Sequence, residues 1–494
     1  MSTTNTSCEK NLSTFLTIDN MNKWTDPQEW ARMIPDLSCD CPTSSKPSHP
    51  LQGGESLSAL VDEKQSTKNL INDGYTLINK QPTNELLANT VAAGISTLHK
   101  TYKLPATFIL LYDQAWQLAA TGTSILQNTT HSKNVFNFDV LAWYIDPSDG
   151  AAGFSPHRDR QPTNEEVAAS FHQDEQAKYV TLWMALSDAT PENSCIYVIP
   201  KQHDPGYLEG DDEEDKNMHD QESHQDYDAV GTRTCTTQDP LTRCLKSKES
   251  YQNIRALPRR AGESIAFTHR IIHWGSRGNS NCTEPRIAIS FVTSDPSFEK
   301  PYLRQYEKYW KPSTRTCTGE SVVSGGGSAS TAFSSPPFYV RLLLVCAQLI
   351  IYYQRFNLPQ ETIRACYEYC KGHKEELEES YWKKVSFEFV NAMKEGKVGA
   401  KQSESENEEN QCTSKETKED NRGKNDDDDD DEALLEAMLE NINEVEDDFD
   451  EMNYGEETGV ISEDEDFDND EEDCYDLFAP ANRACEPCKK KSKK

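Results

Sequence analysis

The chain lacks a long uninterrupted apolar run. Its most apolar stretch, Phe338 to Tyr353, has 16 residues and contains Arg341 and Gln348. A helix that spans a bilayer needs about 20 predominantly apolar residues. We therefore expect no membrane span, and we predict that this stretch is a buried helix.

The sequence also lacks the signs of secretion. Its first residues, Met1 to Cys8, contain neither a basic segment nor an apolar core, so no signal peptide is apparent. The 15 cysteines are odd in number and follow no regular spacing, which is typical of a reducing compartment. We expect an intracellular, cytoplasmic protein, with a nuclear location left open by the lysines at 489–494.

A basic surface is missing as well. The net charge is −34, and residues 401–494 alone contribute −24, which leaves −10 for the first 400 residues. Nucleic-acid-binding domains carry clustered positive charge, so we expect no nucleic-acid partner. Hydrophobic residues make up only 35%, which predicts an ordered part joined to a polar remainder.

Composition divides the chain into five parts. The predicted parts are a polar N-terminal extension 1–65, a folded domain 66–310 with an acidic insertion 204–253, a flexible linker 311–337, a helical segment 338–398 and a disordered acidic tail 399–494 with a basic C-terminus. Within the tail, Glu432–Phe449 has apolar residues on roughly one helical face. It is a candidate partner-binding helix, although a solvated acidic spacer is the favoured interpretation.

The folded domain contains short β-branched and aromatic runs separated by Pro, Gly and Asn. The predicted strands are Phe138–Ile145, Tyr179–Ser187, Cys195–Ile199, Ser264–Phe267 and Arg286–Thr293. Strands without intervening helices favour an antiparallel barrel or sandwich. The predicted class is therefore mainly β with flanking helices (α+β).

Two helices are predicted ahead of the strands. Asp26 followed by Pro27 is typical of an N-cap and first helical position, and it predicts a helix around Trp24–Met33. Apolar residues then recur at helical spacing, which indicates a packed helix. These are Leu86, Leu87, Val91, Ile95 and Leu98.

The residues with the clearest chemistry are His157, Asp159 and His273. An H-x-D pair with one distant histidine matches a two-histidine, one-carboxylate facial triad, which fills one face of an octahedral metal and leaves three positions open. That ligand set indicates non-haem Fe(II) and oxygen activation. The tripeptide alone is weak evidence, because a second H-x-D occurs at His172 and Asp174.

His157 follows a predicted strand across a glycine-containing loop, which favours it over His172. For the distant histidine, His269 competes with His273, and along one strand the two would point the same way. Position on a strand therefore leaves this choice open.

Arg286 lies 13 residues after His273, between apolar strand positions. A guanidinium held there needs a partner, and a dicarboxylate such as 2-oxoglutarate offers a planar, two-point one. The nearby Arg270, Arg277 and Arg259 are expected to be exposed.

Several stretches resemble the phytanoyl-CoA dioxygenase family of Fe(II)/2-oxoglutarate oxygenases. They are Asn72–Ile78 with its Asp-Gly-Tyr, Pro156–Arg160 with the H-x-D pair, Tyr179–Pro200, Ala261–Phe267 followed by His273-Trp-Gly, and Pro285–Ser290. The resemblance covers about residues 66–300. Within Tyr179–Pro200, Ser194 replaces a residue that is usually glycine.

The resemblance implies a double-stranded β-helix (a jelly-roll, cupin-like core) with helices outside. It implies that His157, Asp159 and His273 bind iron as the catalytic centre, that His273 rather than His269 is the distal ligand, and that Arg286 binds 2-oxoglutarate. Thr181 and Trp183 lie on the matching strand and are expected to line the cofactor site. The insertion 204–253 and everything after residue 310 lie outside the family's pattern.

The sequence therefore predicts a 2-oxoglutarate-dependent dioxygenase that hydroxylates a small organic substrate and releases succinate. The expected cofactors are Fe(II) and 2-oxoglutarate, with O2 as co-reactant and ascorbate as an in vitro reductant. A protein hydroxylase or demethylase recruited through the acidic tail is the first alternative, and a non-enzymatic interaction protein is the second. The acidic insertion favours a neutral or cationic substrate over a CoA thioester.

Overall fold

The computed structural model describes residues 15–39, 63–79, 82–130, 134–161, 166–209, 240–311 and 332–394. The candidate partner helix Glu432–Phe449, the acidic tail, the core of the insertion at 210–239 and the linker residues 312–331 lie outside these ranges. The description below therefore concerns the folded domain and the helical segment that follows it.

The strands form antiparallel sheets. They are β1 (Tyr75–Ile78), β2 (Val135–Ile145), β3 (Tyr179–Ala185), β4 (Ile196–Ile199), β5 (Arg255–Leu257), β6 (Ser264–Thr268), β7 (Ile272–Gly275), β8 (Arg286–Ser294), β9 (Trp310–Lys311) and β10 (Ala332–Phe333). A five-stranded sheet has the order β1-β6-β3-β8-β2, a three-stranded sheet has the order β5-β4-β7, and β9 pairs with β10. All five strands predicted from the sequence are present, and each agrees at one end and differs by one to three residues at the other.

Helices surround these sheets, so the fold mixes helix with antiparallel sheet. They are α1 (Met21–Trp24), α2 (Pro27–Met33), α3 (Glu63–Asp73), α4 (Pro82–Tyr102), α5 (Asp113–Thr130), α6 (Gly206–Glu209), α7 (Leu241–Cys244), α8 (Phe338–Ile351), α9 (Tyr353–Phe356), α10 (Gln360–Gly372) and a last helix, α11, at 379–394. The predicted cap of α2 is confirmed, because the Asp26 side chain accepts a hydrogen bond from the Gln28 amide.

The apolar stripe of α4 is confirmed except at its first residue. Val91, Ile95 and Leu98 are fully buried, whereas Leu86 is 73% exposed. At about 100° per residue, the five-residue step from Leu86 to Val91 leaves them roughly 140° apart around the helix. Leu86 therefore points away from the face that packs on the sheet.

The predicted buried helix is α8. Every residue from Val340 to Ile351 is buried, including the two polar interruptions. Arg341 donates hydrogen bonds to the carbonyls of Pro336 and Leu111 and pairs with Asp113 at 2.6 Å. Across the described ranges, no helix combines the length and apolar character that crossing a bilayer requires.

Gln348 joins α8 to strand β2. Its Oε1 accepts a hydrogen bond from the Thr107 hydroxyl at 2.6 Å, and its Nε2 donates to the Val140 carbonyl. All these groups are buried, so each depends on the others for its hydrogen bonds.

We predict that Gln348→Leu destabilises the protein by about 1–3 kcal/mol, because it leaves the Val140 carbonyl and the Thr107 hydroxyl buried without a partner. Urea unfolding followed by tryptophan fluorescence measures the loss. Gln354→Leu, at an exposed position just beyond α8, is the matched control. Equal stability of the two variants would contradict the role assigned to Gln348.

Candidate metal centre and active-site cavity

His157, Asp159 and His273 come together in space. Their potential ligand atoms all lie within 4.8 Å of one another, and in the described part of the chain no other group of three His, Cys, Asp or Glu side chains does so. The Nε2 atoms of His273 and His157 lie 3.4 and 3.9 Å from Asp159 Oδ1. Three donors converge on one point, which is the geometry that a single metal ion needs.

The backbone sets this convergence. His273 lies on β7, and the loop before His157 runs antiparallel to that strand. The two histidines exchange main-chain hydrogen bonds at 3.1 and 3.0 Å, and the Gly275 amide donates to the Phe154 carbonyl at 3.0 Å. Gly153 and Gly275 make this close approach feasible, because a Cβ on Gly153 would lie 2.5 Å from the Gly275 Cα.

Both imidazoles have their Nδ1 atoms bonded to nearby carbonyls. His157 Nδ1 lies 2.7 Å from the Ser155 carbonyl, and His273 Nδ1 lies 3.2 Å from the Ile271 carbonyl. A carbonyl can only accept, so each Nδ1 carries the proton and each Nε2 keeps a lone pair. The two Nε2 atoms are thus the ones available to a metal.

Thr181 holds the third donor. Its hydroxyl donates to Asp159 Oδ2, while Asp159 Oδ1 faces the histidines. The residue lines the cavity, as the sequence predicts, and its hydroxyl contacts this carboxylate. Thr181 therefore orients Asp159 so that one oxygen points at the metal position.

The competing residues lie elsewhere. His269 is buried and bonds to Ser170 Oγ and the Tyr179 carbonyl. A turn separates β6 from β7, so His269 and His273 are not on one strand, and the premise that they point the same way was wrong. His172 bonds to Asn134, and Asp174 accepts from Gln176 within a turn.

Arg286 lies at the start of β8, and its side chain borders the same cavity. It is 3% exposed, and its Nε has no hydrogen-bond partner among the described residues. Burial, with a smaller contribution from Arg355, lowers the pKa of this guanidinium to about 10, although Cys195 opposes the shift. Trp183 lies beside it, with the ring centroid 5.7 Å from Arg286 Cζ. A buried cation with an unused donor requires an anion.

The cavity encloses ≈ 720 Å³ of space between atoms, part of it open to solvent. Its walls are mostly aromatic and aliphatic. The apolar lining residues are Leu141, Trp143, Phe154, Tyr179, Trp183, Ile196, Phe267, Trp274, Val292 and Tyr352.

The sequence analysis missed the contribution of the C-terminal helices to this wall. Tyr352, between α8 and α9, borders the cavity. Phe356 stacks on Trp143 at 5.5 Å, and Arg355 lies 4.9 Å from the Phe154 ring centroid and donates to the Ala152 carbonyl. No local pattern in the sequence indicates contacts between segments this far apart.

Two buried arginines hold segments beside the site, and one of them differs from expectation. Arg270, expected to be exposed, is completely buried and donates to the Gly206 and Tyr207 carbonyls. Arg158, between the two metal-ligand candidates, pairs with Asp204 at 2.5 and 2.9 Å. Its side chain therefore anchors the H-x-D segment through Asp204.

Comparison with known proteins agrees with this site. Residues 61–288 match the family model described as Phytanoyl-CoA dioxygenase (PhyH). No curated protein sequence matches the chain.

Similar solved structures include three at low sequence identity. The α-ketoglutarate-dependent epimerase SnoN from nogalamycin biosynthesis is 17% identical over 47% of this chain and 83% of its own, with a TM-score of 0.32. EctD from S. alaskensis, solved with 2-oxoglutarate and 5-hydroxyectoine, is 13% identical over 52% and 86%, with a TM-score of 0.29. The non-heme monooxygenase ThoJ is 12% identical over 60% and 99%, with a TM-score of 0.34.

The metal-free protein should lose stability as the pH falls from 6.5 towards 4. Burial, reinforced by the neighbouring His157, lowers the pKa of His273 from 6.5 to about 4, although Asp159 opposes this shift. In that window the histidine of the unfolded chain binds a proton that His273 of the folded protein does not bind. The free energy of unfolding therefore falls by up to about 1.4 kcal/mol for each unit by which the pH is lowered. Above pH 6.5 this contribution to the pH dependence disappears.

Urea unfolding of metal-free wild type and His273→Gln across that window measures this effect. The variant should show a shallower dependence on pH, because its amide does not titrate. His172→Gln, which replaces a histidine outside the cluster, is the control. A slope unchanged by His273→Gln would contradict the assignment.

Proposed function

We propose that this chain uses Fe(II) and 2-oxoglutarate to hydroxylate a small organic substrate. The chain is an oxygenase, and its residues 61–288 match the phytanoyl-CoA dioxygenase family model. The observation that carries the proposal is the convergence of His157, Asp159 and His273 in one cavity with the buried Arg286.

The three converging side chains suit Fe(II). Two imidazoles with free Nε2 atoms and one carboxylate oxygen are the ligand set of the facial triad, which leaves open positions for exogenous groups. When bound, iron supplies the activation of O2 that organic side chains cannot provide. The protein's own contribution is to hold neutral imidazoles, to orient Asp159 through Thr181, and to exclude water with an aromatic wall.

Arg286 suits the distal carboxylate of 2-oxoglutarate. Its Nε donor is buried and unpartnered, and a carboxylate would satisfy a guanidinium in a two-point arrangement. Trp183 beside it supports the guanidinium and narrows that end of the cavity. We therefore propose that both residues take part in co-substrate binding, as the sequence analysis predicts.

The substrate is proposed to be a small molecule because the metal position lies in a cavity whose walls are mostly aromatic and aliphatic. The protein-directed alternative depends on the acidic tail, which lies outside the described residues. Nothing in the folded part favours it.

The direct test is succinate formation from 2-oxoglutarate by the purified full chain with Fe(II), ascorbate and O2. We expect substrate-independent turnover that is abolished in His157→Ala, because one of three ligands is lost. The His172→Ala variant, altered in the other H-x-D sequence, should keep it.

Fe(II) binding measured without oxygen gives a second readout. Bound iron and 2-oxoglutarate without turnover would mean that O2 activation awaits the substrate. Failure of the wild type to bind either one would refute the proposal.

Replacing Arg286 with Gln should weaken 2-oxoglutarate binding roughly tenfold to a hundredfold, because hydrogen bonds to charged groups contribute about 1.5–3 kcal/mol. Titration of anaerobic Fe(II) protein with 2-oxoglutarate measures the change. Arg277→Gln, an exposed position nearby, is the control. An unchanged affinity in Arg286→Gln would exclude this residue from co-substrate binding.

A further inference from the structure

A second buried charge borders the cavity and has no part in the metal or 2-oxoglutarate sites proposed above. Asp139, on β2, is 6% exposed and lies in the cavity wall. Burying a carboxylate costs free energy unless the charge is paired or hydrogen-bonded. The groups around Asp139 therefore indicate its role.

The backbone of β2 is irregular beside this residue. The register with β8 shifts between Phe136 and Val140, and Phe138 has a φ of +70°. A left-handed conformation is strained for a bulky residue. β-Bulges near active sites redirect side chains. From Phe138 onward, the alternate residues Asp139, Leu141 and Trp143 of β2 all border the cavity.

Among the described residues, the hydrogen bonds and the ion pair of Asp139 fall on one oxygen. Its Oδ2 accepts hydrogen bonds from the Tyr302 hydroxyl at 3.0 Å and the Tyr179 hydroxyl at 3.3 Å, and lies 3.7 Å from an Arg160 nitrogen. Arg160 itself is held in a bidentate pair by Glu299. Asp139 Oδ1 is thus the oxygen left for a ligand in the cavity.

The surrounding charges do not fully offset the effect of burial on the pKa of the Asp139 carboxyl group. Burial raises the pKa of Asp139, Arg160 opposes this, and Glu299 reinforces it. The Tyr302 hydrogen bond and Lys384 of α11 lower the pKa again, as weaker effects. A hydrogen-bond donor brought by a ligand would stabilise the charged carboxylate further.

Asp139 is well placed relative to the metal. Val140 pairs with Phe291 of β8, and Thr181 of β3 pairs with Val292, so Asp139 and Thr181 lie at the same level on either side of β8. Arg286 is six residues from Val292 along that strand, about 20 Å away in the backbone. A molecule bound at Asp139 would therefore lie at the level of Thr181, which orients the metal ligand Asp159, and away from the backbone position of Arg286.

We infer that Asp139 is the polar anchor for the substrate. Its Oδ1 accepts a hydrogen bond from an ammonium or hydroxyl group, while Trp143, Phe154 and Tyr352 surround an apolar body. The substrate class is thus a small amphipathic amine or alcohol, and a carboxylate or phosphate head group is disfavoured. This inference rests on the proposed function, because it assigns the substrate of that same site.

The test uses the full chain with Fe(II) and 2-oxoglutarate in the absence of oxygen. Hexylammonium, hexanol and hexanoate, which share one apolar body, are titrated by isothermal calorimetry. We expect hexylammonium or hexanol to bind at least roughly tenfold more tightly than hexanoate. Asp139→Asn should weaken hexylammonium binding by a similar factor, and Asp174→Asn, on an exposed turn, should not.

Three results would overturn the inference. They are hexanoate binding as tightly as the other probes, none of the probes binding to the wild type, and hexylammonium affinity unchanged in Asp139→Asn. If that variant does not fold, the preference of the wild type among the three probes still decides the question. Binding of 2-oxoglutarate to the wild type is measured first, since its failure would refute the proposed function rather than the anchor alone.

Discussion

The metal site depends on two main-chain hydrogen bonds exchanged between His157 and His273. They place residues 116 positions apart in the chain side by side, and the contact of Gly153 with Gly275 continues the same pairing. Side chains then refine what the backbone has positioned, with carbonyls orienting the two imidazoles and Thr181 orienting Asp159. Disturbing β7 would therefore disperse all three donors, even though only one of them lies on that strand.

Local features were predictable from the sequence. Strand composition located all five predicted strands, and the Asp26-Pro27 pair located the start of α2. Residue types nominated the metal ligands, and the family resemblance selected His273 over His269 for the converging triad. Each of these depends on neighbours within a few residues. Two local features were nevertheless missed. Counting helical angles places Leu86 on the exposed face of α4, and a turn between β6 and β7 means that His269 and His273 do not lie on one strand.

What the sequence could not show depends on distant packing. Asp139 looked like one polar residue within a strand, and only the bulge and the two tyrosine hydroxyls reveal its position at the cavity. Arg270 looked exposed because charged residues usually are, yet carbonyls of α6 surround it. Tyr352 and Tyr302 lie beyond the family match at 61–288, so the chain's own C-terminal part shapes the cavity around the metal position.

The strand order has a consequence for synthesis on the ribosome. None of the strands β1 to β4 pairs with another of these four: β1 and β3 wait for β6, β2 waits for β8, and β4 waits for β5 and β7. A nascent chain therefore exposes four unpaired apolar strands until residues 255–257 have emerged. Such edges aggregate readily, so this protein should rely on chaperones while it is being made, and far less once β8 completes the sheet.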